Sequence, residues 1–112
     1  MTAAADNRLI IAGRVVEREQ TRYSPAGLPI VRLVLDHQSR QIEAGYPREA
    51  RCRIAVLACG EALARAAGGL APGALVRVRG FLSRADARRG EARLVVHAEL
   101  IEILDYSEPQ RG

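Results

Sequence analysis

Five β-rich stretches, with one helix-forming segment between the third and fourth, predict an all-β domain. Three observations narrow the class. Apolar and polar residues alternate, so each stretch has two distinct faces. A glycine, Gly13, sits mid-way in the first stretch, where it signals a bulge or a sharp bend. The helical segment follows the third stretch. Together these point to a five-stranded Greek-key OB-fold barrel with one short helix between strands three and four. A flat three-stranded sheet with a separate hairpin is the alternative.

The first strand is expected over Arg8–Glu19. Leu9, Ile11 and Val15 share one parity, and Ile10, Ala12, Arg14 and Val16 share the other. Both faces are partly apolar, as in a strand that packs inside and is also covered outside. Thr21–Pro29 reads as a loop, and Ser24-Pro25-Ala26-Gly27 carries a type I turn signature. The second strand runs over Ile30–Ser39, with Val31, Leu33 and Leu35 inward and Arg32 and Asp36 outward. His37 shares the parity of Leu35 and reads as a packed or edge residue.

Arg40–Pro47 is expected to be a loop, broken at Gly45-Tyr46-Pro47. The third strand spans Arg48–Ala58. Cys52, Ile54 and Val56 face in, and Arg51 and Arg53 face out. Glu61–Ala67 is alanine-rich and predicts a helix whose apolar face is Leu63, Ala66, Ala67 and Leu70. Gly68-Gly69 ends it, and Pro72-Gly73 turns the chain. The last two strands form a hairpin. Val76, Val78 and Leu82 point one way, Arg77 and Arg79 the other; Phe81 is expected in the core. Between the arms, Arg84 to Arg93 forms a basic finger of four arginines against Asp86 and Glu91, net +2. Long ordered loops of this kind tend to be functional, and the alternative is a floppy solvated loop. Residues 1–7 are expected to be disordered, 8–104 to form the OB-fold domain and 105–112 to be a polar tail.

A chain of 112 residues fits one domain. No apolar run reaches the ~18 residues of a membrane span, and the N-terminus lacks a signal-peptide pattern, so a cytoplasmic location is expected. Cys52 and Cys59 fit neither a CxxC pair nor a zinc framework. Cys52 reads as a small buried hydrophobe. The net charge is +4, and all seventeen basic residues are arginine. Arginine brings a planar fork suited to phosphate and a face that stacks on bases. The segment from Glu99 to Gly112 sums to −3, so a basic body carries an acidic end. That asymmetry points to a polyanionic partner.

OB-folds bind oligonucleotides on the strand two–three face and with the loops joining strands one–two and four–five. Those places hold Arg22, Arg32, Arg51, Arg53, Arg84, Arg88, Arg89 and Arg93, which together with Tyr46 of the strand two–three loop and the neighbouring Arg48 are the candidate DNA-binding residues. Tyr46 either stacks on a base or is an inert loop residue. Arg51, Tyr46 and Arg53 are expected to form one central platform.

Asn7-Arg8-Leu9, Ser24-Pro25-Ala26-Gly27-Leu28-Pro29, Leu35-Asp36-His37, Glu43-Ala44-Gly45-Tyr46, Gly80-Phe81 and His97-Ala98-Glu99 resemble the primosomal replication protein N (PriB) family. The similarity runs from about Asn7 to Asp105. It implies a homodimeric OB-fold akin to single-stranded DNA-binding protein. It further implies binding of single-stranded DNA and assembly with the PriA helicase and DnaT when stalled replication forks restart. Two departures stand out. Arg51 takes an aromatic position of the family pattern, and the finger carries arginine where the family carries lysine, with Asp86 at one basic position.

Catalysis has little support, and no cofactor is expected. The histidines are His37 and His97, and there is no Gly-x-Ser-x-Gly elbow, phosphate loop or dinucleotide fingerprint. Asp36, His37 and Ser39 lie on alternating faces of one strand and cannot form a relay together. Metal binding lacks clustered ligands. The rivals are a protein-interaction module whose arginines meet an acidic partner, and a general single-strand binder. Salt dependence of oligonucleotide binding separates the first from the DNA-binding reading.

Overall fold

The computed structural model describes residues 5–85 and 93–105. The strands are β1 (Leu9–Arg18), β2 (Arg22–Tyr23), β3 (Pro29–Glu43), β4 (Tyr46–Cys59), β5 (Leu75–Ala85) and β6 (Arg93–Asp105). One helix, α1 (Glu61–Gly68), lies between β4 and β5. The expected five strands and the helix are present, and the two-residue β2 is an addition. It exists because the Ser24–Gly27 turn folds Arg22 and Tyr23 back onto Ile30 and Pro29.

The sheet runs β1-β5-β6-β4-β3-β2, and β1 also pairs with β3. That second pairing closes a ring and excludes a flat sheet with a separate hairpin. All pairings are antiparallel except β4 with β6. One strand can serve two neighbours because β1 divides its length. Leu9–Arg14 pairs with β5, and Arg14–Arg18 pairs with β3. The register slips between Val15 and Glu17, so the bulge lies just past Gly13. Gly13 serves a close approach instead: a Cβ there would sit 2.8 Å from the Asp36 carbonyl oxygen. Gly80 plays the same part across the ring, where a Cβ would run into the His97 carbonyl. A second bulge between Arg79 and Gly80 lets β6 bend over that contact.

The core is built from the inward parity of the strands. Val15, Val31, Leu33, Leu35, Val56, Val76, Val78 and Val96 are almost fully buried. Each such side chain contributes roughly 1.5–3 kcal/mol of transfer free energy. The helix packs against β3, β4 and β6. Its buried stripe is Leu63, Ala64, Ala67 and Leu70, not Ala66, which is exposed. At 100° per residue, Leu63, Ala67 and Ala64 fall at about 0°, 40° and 100°, whereas Ala66 lies about 60° beyond Leu63 on the other side. The segment after the helix is tied to the β1 bulge. Gly73 N–H donates to Val15 O at 2.7 Å, Arg14 donates to Gly73 O and Arg18 donates to Leu70 O, both at 2.8 Å. Two of the N-terminal arginines are thereby structural.

Asn7 is fixed as well. Its side-chain amide donates to Leu82 O and accepts from Leu82 N–H, both at 2.9 Å, extending the β1–β5 ladder by one imitation peptide. Asn7, expected to be disordered, is therefore held in place. Residues 1–4 and 106–112 lie outside the described residues.

Candidate nucleic-acid interface

The strongest departure from the sequence expectation is the hairpin of β3 and β4. Arg40–Pro47 was expected as a loop, yet β3 continues to Glu43 and β4 starts at Tyr46. Two residues suffice to connect them. Ala44 and Gly45 both take positive φ, 52° and 83°, the pattern of a type I′ turn whose twist matches the strands it joins. From Asp36 outward on β3, and back to Arg53 on β4, no residue is buried. The hairpin thus projects past the barrel as a two-stranded arm.

Cys52 belongs to this arm, which explains why it is exposed and not a core residue. Its parity is inward, but the barrel interior ends near the Leu35–Ile54 pair. Its cross-strand partner His37 is half-buried. The His37 Nδ1–H donates to the Ala12 carbonyl at 2.6 Å, and Nε2 lies 2.8 Å from Ser39 Oγ. The ring latches the root of the arm to β1, where the two strands part.

The register sorts the arm's side chains onto two faces. One face carries the pairs Asp36–Arg53, Gln38–Arg51, Arg40–Glu49 and Ile42–Pro47. The other carries His37–Cys52, Ser39–Ala50, Gln41–Arg48 and Glu43–Tyr46. The expected platform of Arg51, Tyr46 and Arg53 is therefore divided. Arg51 and Arg53 share a face with Arg40, whereas Tyr46 and Arg48 lie on its reverse. Spacing alone decides this, because 46 and 51 differ by an odd number. Tyr46 is 73% exposed at the arm's tip, with Ile42 at 70% across the turn.

Electrostatically the arm is self-neutralised. Arg48 pairs with Glu43 at 3.1 Å, Arg51 with Glu49 at 3.8 Å and Arg53 with Asp36 at 3.4 Å. Gln38 also donates to Glu49. All six charged side chains are more than half exposed, so water screens the pairs and each holds only weakly. A phosphate can replace the carboxylate in each. Arg32 is different: it lies on the barrel wall, half-buried, and pairs with Glu19 at 2.8 Å. Arg8, Arg22, Arg40, Arg79 and Arg84 make no ion pair with a described residue. Arg22 is exposed on β2 beside Tyr23, which is 69% exposed. Arg84 and Arg93 are exposed where β5 and β6 leave the barrel, opposite Leu94 and Ala85. Arg88 and Arg89 lie outside the described residues.

Sequence reasoning missed Phe81. It is 38% exposed on the outer face of β5 and stacks on His97 of β6, with ring centroids 4.9 Å apart and planes within 9°. The signal was available, since Phe81 shares the parity of Arg77 and Arg79. Its aromatic type suggested the core; its position did not.

A ring of five long strands with a helix after the third and a projecting arginine-bearing hairpin defines a class, the OB-folds related to single-stranded DNA-binding proteins. A family model described as "another single-strand binding protein family" matches residues 7–100. Replication restart protein PriB of Proteus mirabilis is 41% identical over 91% of this chain and 97% of its own length. The solved structure of PriB from Ralstonia solanacearum superposes with a TM-score of 0.76 at 36% identity, covering 89% of this chain and 99% of that one. The single-stranded DNA-binding protein of Thermus aquaticus has a TM-score of 0.73 at 28% identity, covering 92% of this chain and 52% of that one. The chain belongs to the PriB family.

Proposed function

We propose that this protein binds single-stranded DNA as an accessory factor of replication restart in the cytoplasm. The carrying observation is the projecting β3–β4 arm, with Arg40, Arg51 and Arg53 on one face and Tyr46 and Arg48 on the other. It continues the two strands whose face OB-folds use for oligonucleotides, which supports the reading. Arg22 on β2, Arg84 on β5 and Arg93 on β6 add positive charge, as do Arg88 and Arg89 in the sequence between the last two. Arg32 contributes from the barrel wall once it releases Glu19. The chemistry is exchange of carboxylate for phosphate plus stacking; no step of bond making is involved. Family membership supports PriA helicase and DnaT as protein partners.

A homodimer is part of the same reading. The β1 segment Leu9–Gly13 pairs with β5 on one side only, because β3 joins β1 from Arg14 onward. A free strand edge with Ile10 58% exposed beside it invites a second copy. Light scattering at micromolar protein tests this; a strict monomer refutes it.

The DNA-binding reading is tested by titrating a fluorescent oligonucleotide at several salt concentrations. Neutralising Z phosphates on a single strand gives a log–log slope near −0.7Z. A steep fall in affinity with salt and weaker binding to duplex are expected. A flat salt response, or tighter duplex binding, refutes the reading.

A further inference from the structure

The outer face of the β1–β5–β6 sheet carries the Phe81–His97 stack. Cross-strand register places Arg79 beside this stack, directly between Ile10 on β1 and Leu100 on β6. Ile10 and Leu100 are 58% and 44% exposed. Carrying the β1–β5 register one residue past Leu9–Gly80 sets Arg8 opposite Phe81. Arg77, the next arginine along β5, is satisfied by Glu102 at 3.3 Å. Arg8 and Arg79 make no ion pair with a described residue. The face thus combines an outward aromatic pair with uncompensated guanidinium groups, and apolar side chains flank them.

We infer that this face is a second contact for the single strand, with a nucleobase stacking on Phe81 and adjacent phosphates meeting Arg79 and Arg8. The inference rests on the single-strand-binding reading above. Two physical points carry it. First, a parallel ring pair leaves one face of each ring directed away from its partner, so the stack can be continued by any flat π-system. Base–aromatic stacking tolerates every base and suits a protein that binds without sequence preference. Second, the charge pattern selects the occupant. A second protein surface docked here would bury Arg79 between Ile10 and Leu100 and would have to bring its own counter-charge. A nucleic acid strand brings phosphate with each base. Pairing of two β1 edges would leave this face open and would set two such stacks on one side of a continuous sheet.

The test uses the whole chain and a fluorescein-labelled oligothymidylate. Phe81→Leu keeps the apolar bulk and removes the π-face. It should weaken binding by at least about fivefold, the lower range for losing one aromatic stacking partner. Arg79→Ala should flatten the salt slope by about 0.7. Ultraviolet cross-linking of the unaltered protein, read by mass spectrometry, should place a thymidine adduct on Phe81; this arm stands even if Phe81→Leu does not fold. Unchanged affinity in both variants, with adducts confined to the arm, would overturn the second contact and leave the arm's role intact. Particle mass falling in Phe81→Leu while oligonucleotide affinity holds would mean that the face joins copies of the chain, and would also overturn it. Loss of all binding in the unaltered protein would overturn both readings.

Discussion

Replacing Glu49 with Gln removes one negative charge from the middle of the arm and keeps the side chain's size. Glu49 lies 3.8 Å from Arg51, accepts a hydrogen bond from Gln38 and stands opposite Arg40 in the register. On the proposed reading its carboxylate competes with phosphate for Arg51. The Arg51 and Glu49 side chains are 69% and 55% exposed, so their pair is screened and belongs to the class worth about 0.2–1 kcal/mol. Released, that interaction no longer opposes DNA. Affinity should rise about 1.4- to 5-fold, from the exponential of that energy over RT. If Arg51 gains a phosphate, the salt slope steepens by about 0.7. The control is Glu61→Gln on the helix, where an exposed pair with Arg65 at 3.4 Å is broken by the same change of charge. Anisotropy titrations of both variants at several salt concentrations separate local release from net charge. Equal or weaker binding by Glu49→Gln, or an equal gain in Glu61→Gln, would refute competition on the arm.

Two further substitutions probe the same geometry. Arg51→Ala should weaken binding and flatten the salt slope by about 0.7 if Arg51 meets phosphate; loss of affinity at constant slope, restored by Arg51→Trp, would show stacking instead. Gly80→Ala drives a Cβ into the His97 carbonyl and should cost about 3 kcal/mol or more in urea denaturation; a loss below about 1 kcal/mol would mean that β5 and β6 can separate there.

The parts of the fold legible in the sequence were those set by period-two alternation. Val31, Leu33, Leu35, Val56, Val76 and Val78 all fall on the expected inward side. The same rule held outside the barrel, but residue type obscured it. Phe81 and Cys52 were read as core by chemistry. Phe81 has the outward parity, and Cys52 has the inward parity in a stretch with no interior left to face. The length of the arm was hidden by Gly45 and Pro47, which resemble a loop. A type I′ turn needs only two residues with positive φ, and Pro47 is tolerated at the start of a strand. The ion pairs of Arg48, Arg51 and Arg53 depend on cross-strand register, which the turn fixes and the composition does not reveal. The double pairing of β1 follows from a slip after Val15, and Gly13 pointed to that region without naming the residue.

The divided pairing of β1 sets a timetable for the chain's synthesis. Leu9 pairs with Gly80, and the strands between do not complete the ring without β5 and β6. At roughly 5–20 residues per second, ribosomal elongation separates these two partners by several seconds. The β3–β4 hairpin can form within roughly 1–10 μs of leaving the ribosome, since two residues join its strands. Between the emergence of β4 and that of β6, then, the nascent domain is an arm without a barrel, and the Leu9–Gly13 segment of its first strand still lacks its β5 partner. Ring closure is the slow, non-local step, and it comes after the last strand has emerged. A nascent chain stalled before Arg93 would have a finished arm and no closed core, and the free edge of β1 would be its most exposed point for mispairing with a neighbour.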